Sequence, residues 1–131
     1  MKALVTLAAL IVTVGLGLAE EILQNKELTI SGQLDIQDFK DANGHPISVW
    51  VIRLPQPVDI AAAVDDPVNP NPIKNLEVAQ LACFEPKHLA VFAKYRGRSI
   101  RVSGTFFAAN TQHHFTRALF CLSQATRNNL K

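Results

Sequence analysis

Half of the chain's four histidines stand side by side, as His113 and His114, between Thr111 and Thr116. Neighbouring imidazoles suit metal ligation, proton transfer near neutral pH, or hydrogen bonding in a fixed tautomer. Successive residues of a strand point to opposite faces, so one ion could be gripped by both rings only if His113 lies in a loop. A closed structural zinc site takes four ligands of fixed geometry. The other histidines, His45 and His88, are distant in sequence, and neither C-x-x-C nor H-x-x-x-H spacing occurs. The favoured expectation is one ring inside, bonded to backbone or to a hydroxyl such as that of Thr111 or Thr116, and the other ring on the surface. The alternative is metal binding through His113, His114 and a third group. Either way, Thr111, His113, His114 and Thr116 are the candidate binding residues.

Other chemistries find less support. No Gly-x-Ser-x-Gly elbow and no glycine-rich phosphate loop appear. Asp35, Asp38 and Asp41 are spread along one strand and its turn, which reads as a solvated face. No catalytic residue, cofactor or resident metal is expected, and an enzyme is not. Lys94, Arg96, Arg98 and Arg101, with Tyr95 among them, form the one basic cluster. It sits at the end of an expected helix, where cations are favoured. The chain carries 13 Lys and Arg, Lys2 included, against 11 Asp and Glu. That near-neutral balance argues against nucleic acid as the partner, but leaves an acidic partner or an anionic envelope polymer open.

Those side chains need a scaffold, and the pattern supplies one. Leu28, Ile30, Gly32, Leu34 and Ile36 alternate with polar residues, the period of a half-buried strand. Gly32 suggests a bend or bulge within it. Asn43-Gly44 signals a hairpin into Ile47 to Leu54, which is apolar around Trp50. Five prolines (Pro55, Pro57, Pro67, Pro70 and Pro72), with Asp65, Asp66, Asn69 and Asn71, predict a long loop over residues 55–75. A third strand runs from Leu76 to Phe84. Pro86 then opens a helix that ends at Gly97 and turns Leu89, Phe92 and Ala93 to the core. Strands follow over Ser99 to Phe107 and His114 to Leu122, with a loose polar tail over 123–131.

Five strands with one helix between the third and fourth is the order of an OB-type Greek-key barrel. An open sheet with a helix on one face competes with it.

Residues 1–19 read as a secretory signal peptide: Lys2, an uncharged run from Ala3 to Leu18, then Gly17-Leu18-Ala19 ahead of Glu20. The run is short for a membrane span, which needs about 20 apolar residues. A single domain over 20–131, free of a stable membrane anchor after cleavage and located in the periplasm or secreted, is therefore expected. In such an oxidising compartment an even cysteine count points to a disulfide, here between Cys83 and Cys121. Two buried free thiols, or a redox pair, are the alternative, the latter disfavoured because no C-x-x-C arrangement occurs.

Tyr95-Arg96-Gly97-Arg98, then Ile100 through Phe107, then Thr111-Gln112-His113-His114-Phe115-Thr116 resemble the C-terminal signature of an exported bacterial family, the domain-of-unknown-function family numbered 4431. Its pattern runs Val-x-Gly-Thr-Leu-Phe, then Thr-Gly-His-His-x-Thr. Phe106 stands where that pattern has leucine, and Gln112 where it has glycine. Ile52-Arg53-Leu54-Pro55 with Pro57, and Leu76 through Leu81, are similar to its upstream half. The resemblance implies a small periplasmic barrel with no assigned activity, and places any shared site at Thr111, His113, His114 and Thr116. Together these readings predict an exported, non-enzymatic module that holds a protein or envelope component, as an inhibitor or immunity protein would.

Overall fold

The computed structural model describes residues 22–63, 71–111 and 113–127. The expected signal peptide and the end of the tail lie outside the described residues. Five strands, β1 (Leu28–Lys40), β2 (Pro46–Ile60), β3 (Ile73–Ala82), β4 (Ser99–Ala108) and β5 (Ala118–Arg127), and one helix, α1 (Pro86–Tyr95), follow in the order expected, with α1 between β3 and β4. The strands close into a barrel in the order β1-β2-β3-β5-β4, so the open-sheet alternative does not apply.

β1 serves two neighbours. Gln33 to Lys40 pair with β2, and Leu28 to Gln33 pair with β4. The switch needs Gly32: a Cβ there would lie 2.6 Å from the Arg53 carbonyl oxygen, too close for any side chain. The β1–β2 ladder stops at Gln33 and Arg53, just before Pro55 and Pro57, which have no N–H to donate. At the other end the hairpin turns as expected. Gly44 takes φ +82°, and the Asp41 carboxylate accepts the Asn43 and His45 N–H groups, both at 2.9 Å.

Three expectations need correction. The 55–75 loop is shorter, because β2 continues through both prolines to Ile60 and β3 starts at Ile73. Register shifts after Arg53 and after Val58 let the prolines sit where the ladder is already broken, and Ile60 and Ile73 still reach the core. The helix is rotated: His88 and Phe92 are buried, whereas Leu89 is 42% exposed. His88 turns its Nδ1 back to accept the Glu85 N–H at 2.9 Å, and Phe92 lies against Trp50 and Phe84 with centroids at 5.2 and 5.4 Å. The last strand begins at Ala118, not His114, and continues to Arg127, so residues 123–127 pair with β4 instead of forming a tail. The shift in register beside Gly104 makes that continuation possible; a Cβ at Gly104 would collide with the Cys121 carbonyl.

The barrel is filled by Leu34, Ile52, Leu76, Ile100, Phe106 and Phe120, and Phe92 of α1 joins the same cluster. Among the described residues no helix is long and apolar enough to cross a membrane.

Candidate functional site at the barrel's short seam

β3 and β5 run parallel and meet only from Gln80, opposite Leu119, to Ala82, opposite Cys121. Side chains reinforce both ends of this seam. Beyond one end, Cys83 is joined to Cys121 by a disulfide with its Cα atoms 5.0 Å apart, which decides the cysteine question in favour of the bridge. At the other end lies the stretch that carries the His pair. The buried Thr116 hydroxyl accepts the Gln80 main-chain N–H at 2.9 Å and donates to the Ala118 carbonyl at 2.6 Å. The Gln80 side-chain amide works like a short piece of strand: it donates to the His113 carbonyl at 3.2 Å and accepts the Phe115 N–H at 2.8 Å.

The histidines divide. His114 donates its main-chain N–H to the Thr111 carbonyl at 3.1 Å and accepts the Asn110 N–H at Nδ1 at 3.0 Å, so its proton sits on Nε2. Its ring meets the Phe107 ring edge to face at 5.5 Å. Burial first, and the neighbouring His113 second, hold His114 below the ordinary histidine value. His113 is exposed, and the Thr111 hydroxyl accepts its N–H at 3.2 Å. The four residues named from sequence therefore do come together in one loop. Three of them hold that loop in shape, and the His113 ring faces solvent. Among the described residues no group of three His, Cys, Asp or Glu side chains is placed to hold a metal ion.

The same loop covers the outside of the barrel. Ile52, Ala79 and Phe120 belong to the core, so their strand neighbours Val51, Gln80 and Leu119 point outward. Val51 and Leu119 are nevertheless buried, a second apolar layer outside the barrel. At its rim the Phe115 ring stacks on Phe39 from the end of β1, with centroids at 5.2 Å and planes 19° apart. Ile47, opposite Phe39 in the hairpin, is 37% exposed. Arg117 ties the loop's far end to β3 by donating to the Lys74 and Asn75 carbonyls at 2.8 and 2.9 Å.

Sequence reasoning missed Gln80, Arg117 and the Phe39–Phe115 pair. The signal for Gln80 was available as one amide between Ala79 and Leu81 in an apolar strand. For Phe39 and Phe115, 76 positions apart, no local pattern pairs the two rings.

Residues 79–125 match the model of a family described as "Domain of unknown function (DUF4431)", the family whose signature the sequence resembles. The matched segment starts beside Gln80 and takes in the end of β3, the disulfide, α1, β4, the His-His loop and most of β5. No curated protein and no solved structure matches the chain.

Proposed function

We propose that this protein is an exported binding module that works without catalysis, and that its binding end is the aromatic ledge of Phe39, Ile47 and Phe115. The observation that carries this reading is the stacked Phe39–Phe115 pair, kept at the surface by a loop that Gln80, Thr116, His114 and Arg117 all fasten. Aromatic groups on a preorganised surface lose little conformational freedom on binding and are typical energetic anchors of protein interfaces. In an OB-type barrel the loops joining strands 1 to 2 and 4 to 5 flank the usual ligand face, and this ledge lies between those two loops.

Export is supported by the disulfide, which persists in oxidising compartments; the periplasm or the exterior of the cell is the proposed location. A small rigid barrel suits a blocking role, so the partner proposed is a protein that this module occludes, as an inhibitor or immunity protein does. Fold-level likeness is a weak warrant for function; the ledge is the stronger one. The metal reading lacks a third ligand among the described residues.

The test is affinity capture from periplasmic extract with wild type, His113→Ala and Phe39→Ala/Phe115→Ala. Wild type and His113→Ala should recover the same partner, and the double variant should lose it. Equal recovery by the double variant, at an unchanged unfolding midpoint, would remove the ledge from any binding role.

A further inference from the structure

The β1–β2 hairpin outruns the barrel. β1 pairs with β4 only as far as Gln33, yet continues beside β2 to Lys40 without a shift in register. Just past β4, Leu34 donates its N–H to the Arg98 carbonyl at 2.9 Å and accepts the Gly97 N–H at 2.7 Å. Alternate residues of such a strand turn their main-chain groups to the same side. Those of Ile36, Asp38 and Lys40 therefore point away from β2, as those of Leu34 do, along an edge where no further strand pairs among the described residues. The Asp35 carboxylate accepts the first of these donors, the Ile36 N–H, at 2.8 Å. The Asp38 and Lys40 N–H groups and the three carbonyls have no partner among the described residues.

An unpaired edge is a template for another strand, and charged side chains commonly blunt it. Asp38 and Lys40 are both exposed, but their signs are opposite and they stand two positions apart, which makes this edge complementary to itself. When two copies pair antiparallel about a two-fold axis at Phe39, Asp38 of each copy lies opposite Lys40 of the other. Both pairs exchange main-chain hydrogen bonds in each direction, and both set a carboxylate across from an ammonium. The Ser48 hydroxyl donates to Asp38 Oδ1 at 2.6 Å, which leaves Oδ2 for the lysine. At the axis the two Phe39 residues form the close, non-hydrogen-bonded pair.

Other registers are excluded by the same groups. An axis at Asp38 opposes two carboxylates, and an axis at Lys40 opposes two ammonium groups; like charges directly opposite are destabilising. An axis at Gln37 sets Lys40 of one copy beside Leu34 of the other, where Gly97 and Arg98 already occupy the edge. The matching edge of β2 begins at Pro46, which has no N–H to offer.

We propose that the free edge of β1, residues 36–40, is a homodimer contact in which two copies pair antiparallel through Asp38 and Lys40. The self-complementary order of charges is what selects a second copy over a foreign strand. Pairing at an edge leaves both faces of the sheet open, so it does not compete with the ledge. It also brings the two Phe39–Phe115 stacks side by side as one strip; only this last consequence rests on the ledge reading.

The test is sedimentation velocity of the purified protein between about 10 µM and 1 mM, the range of weak specific association. Wild type should pass from monomer to dimer across that range, less readily as salt rises. Asp38→Lys and Lys40→Asp each place two like-charge pairs across the axis and should raise the dissociation constant about tenfold or more. Mixed together, the two variants regain both opposite-charge pairs and should associate with each other within about threefold of wild type. Misfolding of either variant could not produce that rescue. Hydrogen exchange at the Asp38 and Lys40 amides should slow as the dimer forms.

A wild type that stays monomeric up to about 1 mM overturns the proposal. So does a mixture that associates no better than its two components, or a dimer in which exchange at Asp38 and Lys40 is unchanged, since that dimer would use a face and not this edge. Oligomeric state and partner capture are separate readouts. A failed edge and a failed ledge would therefore be told apart.

Discussion

β5 meets its two neighbours in different ways. Against β4 it runs antiparallel from Ala118 to Arg127, and main-chain pairing closes that side along its length. Against β3 it runs parallel and pairs only from Leu119 to Cys121. The long seam leaves its side chains available for packing. The short one recruits a disulfide, a buried threonine and a glutamine amide. Residues whose types suggest chemistry can thus serve closure, and the surface beside them becomes the place to look for function.

The contrast can be broken most forcefully at the disulfide. With its cysteines 38 positions apart, Cys83→Ala/Cys121→Ala should lower the unfolding free energy by roughly 4 kcal/mol on the chain-entropy account, read from urea unfolding. A loss under about 1 kcal/mol would mean that the short seam closes without its staple. At the long seam the sensitive point is Gly104. Gly104→Ala must push β4 and β5 apart at the Cys121 carbonyl and should cost about 2–3 kcal/mol; a neutral result would show that the register shift there is soft.

Gln80→Leu sharpens the comparison. It leaves the His113 carbonyl and the Phe115 N–H without their amide partner, a cost of about 1–2 kcal/mol at a half-buried site. Hydrogen exchange should report faster opening at Phe115 than along the β4–β5 ladder; unchanged exchange at Phe115 would exclude the amide as a clasp.

The smallest effect is pH dependence. His114 titrates below the ordinary 6.5 when folded, so the unfolded chain takes up its proton first as pH falls. Its contribution is fully present above about pH 6.5, declines as pH drops toward the folded value, and then levels off. Once protonated, Nδ1 can no longer accept the Asn110 N–H. His114→Gln should reduce the difference in stability between pH 7.5 and 5.5; an equal acid loss in the variant would assign it to other groups.

Much of the fold was legible because period-two alternation in β1, Asn43-Gly44 and Pro86 each carry a local physical cause. The prolines misled, because a ladder already broken by register shifts tolerates them and sequence does not show where the breaks fall. Leu89 misled because the buried face of the helix is the one that carries Phe92 and His88, a histidine that reaches back to Glu85. At the site, the histidine pair and its threonines could be found, since they are adjacent in the chain. The roles of Gln80 and Phe39 could not, because both depend on a loop folding back over the barrel.

The most direct measurement is the unfolding free energy of Thr116→Val against that of His113→Ala. If the loop is a clasp, Thr116→Val, which keeps shape but leaves the Gln80 N–H and the Ala118 carbonyl unpaired, should lose about 1–3 kcal/mol. His113→Ala, exposed, should stay within about 0.5 kcal/mol of wild type. The reverse order, with His113→Ala the damaging change and Thr116→Val neutral, would contradict the account.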